Sequence, residues 1–302
     1  MREALRAVWH TFRDFVQARA QHERTRENLG ALLARQVAGI QRPASMADIE
    51  FRVHSQFGDD GILQWLVARL PAIPKRFVEF GVEDYTEANT RFLMVNNGWR
   101  GLVMDGSAKN IARLRRRPWF WRHALDAHTC FVTRDNVDRE IAAWAAGEGV
   151  GLLHIDVDGN DYWLWDAIQS IAPVIVVMEY NAVLGAGRAI TIPYQADFRR
   201  LAAHHSGQYF GASLAALTHL ANAKGYALIG SNTAGNNAYF VRREHLDENV
   251  REVGVADAYA IPTFHDSRDA TGRLDHRNLA GRQAAIRGLP MINVVSGCIE
   301  PF

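Results

Sequence analysis

The sequence has few of the features that mark secreted or membrane-embedded proteins. It contains two cysteines, Cys130 and Cys298, which lie far apart, so a disulfide framework is not expected. The N-terminus has no short apolar core with a small-residue cleavage pattern. No stretch approaches the roughly 18 to 20 apolar residues that span a bilayer. We therefore expect neither export nor integral membrane association, and a cytoplasmic location fits best.

The sequence also has no marked excess of either charge. It carries 34 Lys and Arg against 33 Asp and Glu, with a formal net charge of +1. Because nucleic-acid-binding domains are usually basic, no nucleic-acid partner is expected. The arginine- and aromatic-rich stretch from Arg113 to Arg122 is interpreted as a solvated helix end followed by a packed loop. With 302 residues, 48% of them hydrophobic, the chain can bury a full core.

Residues 1–50 are predicted to form an amphipathic helical segment. Apolar residues recur at helical spacing in two groups, which indicates two helices or one long broken helix over residues 1–40. The first group is Leu5, Val8, Trp9, Phe12, Phe15 and Val16; the second is Leu29, Leu32, Leu33 and Val37. Such a segment needs a partner surface. We expect it to pack on the main domain or on a second subunit, which makes a homo-oligomer the default; lying on a membrane surface is the alternative.

From about residue 55, short apolar segments alternate with helical patterns. This alternation predicts an α/β fold, a Rossmann-like doubly wound and mostly parallel sheet, in residues 51–245. Residues 246–302 are predicted to form a C-terminal extension, packed on the side of the fold where an acceptor substrate would bind. The predicted strands are Arg76 to Phe80, Gly101 to Met104, Cys130 to Thr133, Gly151 to Val157, Val174 to Glu179, Ala227 to Gly230 and Ala238 to Val241.

Acidic residues cluster where the predicted strands end, which is the edge where such sheets bind ligands. Asp105 closes the second strand, 24 positions beyond Gly81 in the first loop. A carboxylate about 20 residues beyond that glycine can accept both ribose hydroxyls of a nucleoside. The first loop lacks the further glycines of a dinucleotide-binding site. A ligand with adenosine but no phosphates therefore fits better.

The succession FVEFGVED, GLVMDGS, HIDVDGNDYW and VVMEYN resembles class I S-adenosylmethionine-dependent methyltransferases, most closely the FkbM family. The resemblance covers about residues 55–242. It implies seven strands, the last of them antiparallel, and S-adenosylmethionine as cosubstrate. It also implies that Glu79 and Gly81 contact the methionine part and that Asp105 holds the ribose. The sequence departs from the family pattern at Glu83, Asp84 and Tyr85, where small residues are usual. The full predicted cosubstrate set is Glu79, Gly81, Glu83, Asp105, Gly106, Ser107 and Asp156.

The stretch from His154 to Asp161 carries the candidate catalytic residues. His154, Asp156 and Asp158 alternate onto one side of the chain, and any of the three could take a proton from an acceptor hydroxyl. An EF-hand is improbable, because Asp161 stands where that loop requires glycine. Crowded carboxylates repel, so a cation or a shared proton is expected to relieve them. Asp161 is otherwise interpreted as a cap of the following helix.

A divalent-cation site is the second mechanism that these residues suggest. Asp156, Asp158, Glu179 and Asn181 form an oxygen-rich set that suits Mg²⁺ or another divalent cation, which would lower the pKa of the acceptor hydroxyl. Glu179 and Asn181 are two positions apart and would share a side of the chain.

The resemblance implies an S-adenosylmethionine-dependent methyltransferase that acts on a hydroxyl of a small molecule: a sugar, a glycan or a secondary metabolite. Two alternatives remain open from the sequence. The first is an N- or carboxyl-methyltransferase on the same fold. The second is a nucleoside-binding or assembly protein that keeps the fold without catalysing a reaction.

Overall fold

The computed structural model describes residues 2–70 and 72–302. Side chains are not described for residues 2–8, 11, 12 and 16. Most of the first predicted apolar group therefore lies outside the described side chains.

The described chain alternates helices and strands from residue 59 onward. The helices are α1 Arg2–Ala38, α2 Asp59–Arg69, α3 Arg91–Asn97, α4 Ala108–Arg115, α5 Val137–Ala145, α6 Asp161–Ala167, α7 Arg200–Ala203, α8 Leu214–Ala223, α9 Val255–Ala258 and α10 Leu279–Ala285. Short 3-10 helices cover Met46–Asp48, Phe120–Arg122, Ala182–Leu184 and Arg243–His245. The strands are β1 Arg76–Phe80, β2 Arg100–Asp105, β3 Leu125–Thr129, β4 Leu152–Ile155, β5 Ile175–Glu179, β6 Ile190–Thr191, β7 Tyr226–Ser231, β8 Asn237–Arg242, β9 Pro290–Asn293 and β10 Ile299–Pro301.

Seven strands form the main sheet in the order β3-β2-β1-β4-β5-β8-β7. The first five strands in this order run parallel to one another, whereas β8 runs antiparallel to both β5 and β7. The order reverses beside β1, because β2 lies on one side of it and β4 on the other. The predicted fold class is therefore confirmed, including the antiparallel last strand of this sheet. Ligands of such sheets bind beyond the carboxyl ends at this reversal.

The sheet is covered on both faces, which explains why its central strands are continuous apolar runs. Every residue of β4 and β5 is buried. Val78, Leu153 and Val176 belong to the core on one face, and Phe77 and Leu152 belong to the core on the other. Alternate residues of each strand thus contribute to different cores, as the pleat of a strand requires.

The third strand differs from its prediction. The sequence placed it at Cys130 to Thr133, but β3 is Leu125–Thr129 and lies at the edge of the sheet. Only Leu125 and Ala127 of its five residues are buried, since an edge strand carries polar groups that an inner strand would not tolerate. The apolar run that followed was therefore mistaken for the strand.

The N-terminal segment is one continuous helix, α1, rather than two or a broken one. Its second half packs on α2 and α3, with Ala34 and Val37 buried. Polar contacts also fix it there. The Nε2 of buried His54 lies 3.2 Å from a carboxylate oxygen of Glu27, and Arg91 forms an ion pair with Glu23.

The C-terminal residues add a small second sheet in the order β10-β9-β6. Strand β9 pairs antiparallel with β6. In the sequence, β6 lies between β5 and α8. The sequence analysis did not predict these three strands. Along the described residues, no helix is long and apolar enough to cross a membrane.

Candidate active site

A cavity of about 430 Å³ opens at the carboxyl ends of β1, β4 and β5. Its walls also include Gln56 and Phe57 from the segment before α2, and Phe264 and Asp266 from the C-terminal extension. The rings of Phe57 and Phe264 are stacked with their centroids 5.8 Å apart. The cavity is thus closed by residues from both ends of the chain around a floor supplied by the sheet.

The turn after β1 fits only with glycine at its first position. Gly81 has a φ of +73°, and a Cβ there would lie 1.6 Å from the carbonyl oxygen of Asp156. The backbones that follow β1 and β4 therefore cross in direct contact, and no side chain can stand between them. This crossing sets the distance between the two loops that carry most of the predicted site residues.

Glu79 and His154 form a buried pair beneath the cavity. The Nδ1 of His154 lies 2.8 Å from Oε1 of Glu79, and both side chains are almost fully buried. Burial alone would lower the pKa of His154, but the hydrogen bond and the charge of Glu79 outweigh it and raise that pKa. Glu79 also accepts hydrogen bonds from the backbone amides of Asn89 and Thr90. It therefore holds the loop before α3 as well as the imidazole.

Three carboxylates converge at the ends of β4 and β5. One oxygen of each of Asp156, Asp161 and Glu179 lies within 4.8 Å of the others. Burial is the largest cause that raises all three pKa values: to about 6 for Asp156, where the charge of His154 opposes it, to about 7 for Asp161, and well above the ordinary value for Glu179. The charge of Asp156 also raises the pKa values of Asp161 and Glu179. Near neutral pH this cluster retains protons or requires a cation.

Glu179 carries a fully buried carboxylate oxygen that no described residue satisfies. The residue is 9% exposed, and its Oε2 is buried without a hydrogen-bond partner among the described residues. In contrast, the two oxygens of Asp161 accept the backbone amides of Val157 and Gly159, at 2.8 and 2.9 Å. Asp161 thus shapes the loop after β4 rather than capping the following helix.

Asp158 lies at the cavity wall but outside this cluster. It has a φ of +56°, and its exposed carboxylate accepts a 3.0 Å hydrogen bond from Nη1 of Arg200. Arg200 also pairs with Asp266, which in turn accepts a 3.1 Å hydrogen bond from buried Arg282. The loop after β4 is therefore tied to the C-terminal extension through one guanidinium.

The side chain of Asn181, which was predicted as a metal ligand, forms hydrogen bonds to the backbone instead. Its amide nitrogen donates to the carbonyls of Gln208 and Phe210, and its Oδ1 accepts the amide of Val183. Of the four predicted ligands, only Asp156 and Glu179 lie in the cluster, and Asp161 supplies the third carboxylate.

The predicted ribose ligand, Asp105, ends β2 beside the first loop. Its two oxygens accept the backbone amides of Glu83, at 2.9 Å, and Ser107, at 2.7 Å. The hydroxyl of Ser107 caps α4, and the ring of Phe131 lies against Gly106. These three residues are not part of the cavity wall among the described residues, whereas Glu79, Gly81, Glu83 and Asp156 are.

Several cavity residues were not predicted as site residues. They are Glu87, Asn89, Arg200, Asn236, Asn237 and Phe264. They come from several parts of the chain, with Arg200 at the start of α7 and Asn237 at the start of β8, and nothing in their local spacing marks them as site residues. Gln56, Phe57 and Asp266 also line the cavity.

No protein-family model matches the sequence, and no curated protein matches it. The chain is similar in structure to the O-methyltransferase from Bacillus cereus in complex with SAH. That comparison has 12% identity and a TM-score of 0.39, and covers 70% of this chain and 90% of that one. It is also similar to an O-methyltransferase family protein from Burkholderia thailandensis (10% identity, TM-score 0.38, 75% and 60% covered). A third similar structure is the glycopeptide N-methyltransferase MtfA with S-adenosylmethionine. That comparison has 11% identity and a TM-score of 0.36, and covers 65% of this chain and 95% of that one.

The crossing at Gly81 can be tested with an alanine variant. We expect Gly81→Ala to lower the free energy of unfolding by more than about 2 kcal/mol, because its Cβ would overlap the backbone of Asp156. Gly98→Ala is the matched control: Gly98 has a φ of +68° but nothing within 4 Å of its Cβ position, so only backbone strain of about 1 kcal/mol is expected. Urea denaturation compares the two, and equal losses would contradict the close contact.

Glu179→Gln should stabilise the chain in chelator at about pH 8, by on the order of 1 to 2 kcal/mol, because it removes a buried charge with a raised pKa. Because the pKa of Glu179 is higher in the folded than in the unfolded chain, this carboxyl destabilises the fold progressively as the pH rises above the pKa of the unfolded state. The advantage of the variant should therefore shrink towards about pH 5. Thermal unfolding across this range checks the prediction, and a variant less stable at every pH would refute it.

Proposed function

We propose that this chain is an S-adenosylmethionine-dependent methyltransferase that acts on a hydroxyl group. The observation that carries the proposal is the placement of acidic side chains at the carboxyl ends of β1, β4 and β5, around a cavity at the reversal of strand order, with Asp105 at the end of the adjacent β2. A sulfonium cosubstrate is cationic, and this edge of the sheet offers it carboxylates.

Asp105 supports the placement of the nucleoside. A carboxylate has about four lone-pair positions, and two backbone amides occupy two of them on Asp105. Ribose hydroxyls would take the free position and replace the long 3.4 Å contact from Nδ2 of Asn110 to Oδ1. The amide of Glu83 joins Asp105 to the first loop, so the proposed ribose and methionine contacts lie on adjacent strands. Glu79, Gly81, Glu83 and Asp156 would then face the methionine part, and Gly106 and Ser107 the nucleoside.

Methyl transfer needs alignment and the removal of one proton. The acceptor oxygen attacks the methyl carbon in line with the sulfur; the C–S bond breaks as the O–C bond forms, and the hydroxyl proton goes to a base. Asp156 is the best-placed base, since its pKa of about 6 makes it a stronger base than an exposed carboxylate. Asp158 and His154 remain candidates, but Arg200 engages the first and Glu79 the second.

The acidic cluster also fits a divalent cation, which is the alternative to Asp156 as a base, because a carboxylate that holds a cation is not free to take a proton. Asp156, Asp161 and Glu179 would hold Mg²⁺ or a similar hard cation through oxygen atoms, and the unpartnered Oε2 of Glu179 supports this donor set. When bound, the cation would lower the pKa of an acceptor hydroxyl. Asp158 and Asn181 are less suitable, because each is engaged elsewhere.

The finer parts of the proposal come from the resemblance to the FkbM family. They are a sugar, glycan or secondary metabolite as acceptor, with N- or carboxyl-methylation and non-catalytic nucleoside binding as alternatives. A homo-oligomer formed through α1 is supported by its exposed Trp9, Phe15 and Leu32. A cytoplasmic location is supported by the free thiols of Cys130 and Cys298.

The cosubstrate can be tested by calorimetric titration with S-adenosylhomocysteine. We expect saturable binding to the parent chain and a loss of about tenfold or more in Asp105→Ala, because two ribose hydrogen bonds to a charged acceptor disappear. Asp257→Ala, an exposed carboxylate in α9, is the control and should bind like the parent. Absence of heat from the parent chain would end the cosubstrate proposal.

The cation can be tested by titrating Mg²⁺ and Mn²⁺ at about pH 6.5 and about pH 8. Binding must displace protons from carboxyls with raised pKa values, so affinity should increase across this range and protons should be released. Glu179→Gln should abolish the binding, whereas Asp158→Asn should leave most of it. Binding that is independent of pH and survives Glu179→Gln would refute this set of ligands.

A further inference from the structure

A second cavity, of about 350 Å³, lies beside the acidic one. Its lining is Pro193, Tyr194, Gln195, Phe198, Ala203 and Tyr209. None of these side chains carries a charge, although seven carboxylates line the neighbouring cavity. We call it the aromatic cavity. Its lining indicates a neutral ligand with at least one apolar face.

The two cavities share one wall. Phe198 faces the aromatic cavity, and Arg200, two residues later, faces the acidic one. The ring of Phe198 lies on Gly159, where a Cβ would come within 2.2 Å of it. Arg200 pairs with Asp158, the residue before that glycine. A ligand in the aromatic cavity is therefore separated from the carboxylates only by the loop after β4 and the segment before α7.

The aromatic rings of this cavity are held in place by polar contacts. The hydroxyl of Tyr194 accepts the backbone amide of Arg134, and the hydroxyl of Tyr209 donates to the carbonyl of Pro290 at 2.6 Å. The guanidinium of Arg134 stacks over Tyr194, 5.3 Å from the ring centroid. Because these side chains are already held, they lose little conformational entropy when a ligand stacks on them. A rigid ring as ligand would likewise lose little conformational entropy.

The lining combines aromatic faces with polar ends. The tyrosine hydroxyls keep hydrogen-bonding capacity beyond their present contacts, and the exposed Gln195 adds an amide at the rim. A pyranose ring has the matching character, since its C–H face is apolar, its edge carries hydroxyls and it has no charge. A purely apolar ring would leave the polar ends unpaired with ligand, and an anion would find no cation in this lining.

We propose that the aromatic cavity is a sugar-binding subsite of the acceptor. It holds one neutral pyranose ring while a hydroxyl of an adjoining part of the acceptor enters the acidic cavity. This inference rests on the proposed function, because it assigns the second cavity to the same acceptor. It narrows the acceptor class to sugar-containing molecules: a glycan or a glycosylated small molecule.

Saturation-transfer-difference NMR on the full chain, without cosubstrate, tests the subsite directly. The probes are methyl glycopyranosides of glucose, mannose and galactose, together with lactose and phenyl β-D-galactopyranoside. We expect transfer to pyranose C–H protons. Transfer to both rings of lactose would indicate a glycan, and transfer to the sugar ring of the phenyl galactoside alone would indicate a glycosylated small molecule. Transfer to phenyl protons only, or to none of the probes, would overturn the proposal.

Variants separate the subsite from general effects on the fold. Tyr194→Ala should weaken sugar binding about 3- to 10-fold through loss of the stacking surface, whereas Tyr194→Phe should retain most of it. Trp121→Ala, which removes a ring that is 78% exposed and outside the cavity lining, is the control. Equal binding by Tyr194→Ala and the parent would contradict the subsite. Because S-adenosylhomocysteine is absent, this outcome is independent of the cosubstrate titration.

Discussion

The repulsion among three closely spaced carboxylates is the constraint on which the site depends. The pairing of β4 with β5 brings Asp156 and Glu179 together, and the loop after β4 adds Asp161, which is fully buried. Their raised pKa values express the cost of that placement. A stable fold alone would not require such a cluster, so the arrangement points to chemistry with protons or cations at this edge.

The fold followed from the sequence because alternating apolar segments and helical patterns determine a parallel sheet with few possible topologies. The failures have local causes. Strand β3 is polar because it is an edge, and the small second sheet joins β6 to strands about 100 residues later. The hydrophobic pattern within one segment does not indicate which distant strand that segment pairs with.

The site was predictable where it lies on strand ends, and unpredictable where it depends on distant packing. Asp156 and Glu179 follow from their strands, whereas Asp161 enters the cluster only because the loop after β4 folds back on its carboxylate. Arg200, at the start of α7, and Phe264, in a loop, reach the cavity without any recognisable spacing in the sequence. Asn181 shows the opposite case, since a plausible ligand was already committed to three backbone partners.

The carboxylate of Asp266 bridges the guanidiniums of Arg200 and Arg282, and thereby joins the last 60 or so residues to the loop that carries Asp158. Sequence changes in that tail can therefore alter the wall of the candidate site without altering any strand of the main sheet. Under the proposed function, such changes would vary the acceptor side of the cavity while the sheet and its acidic rim keep their places.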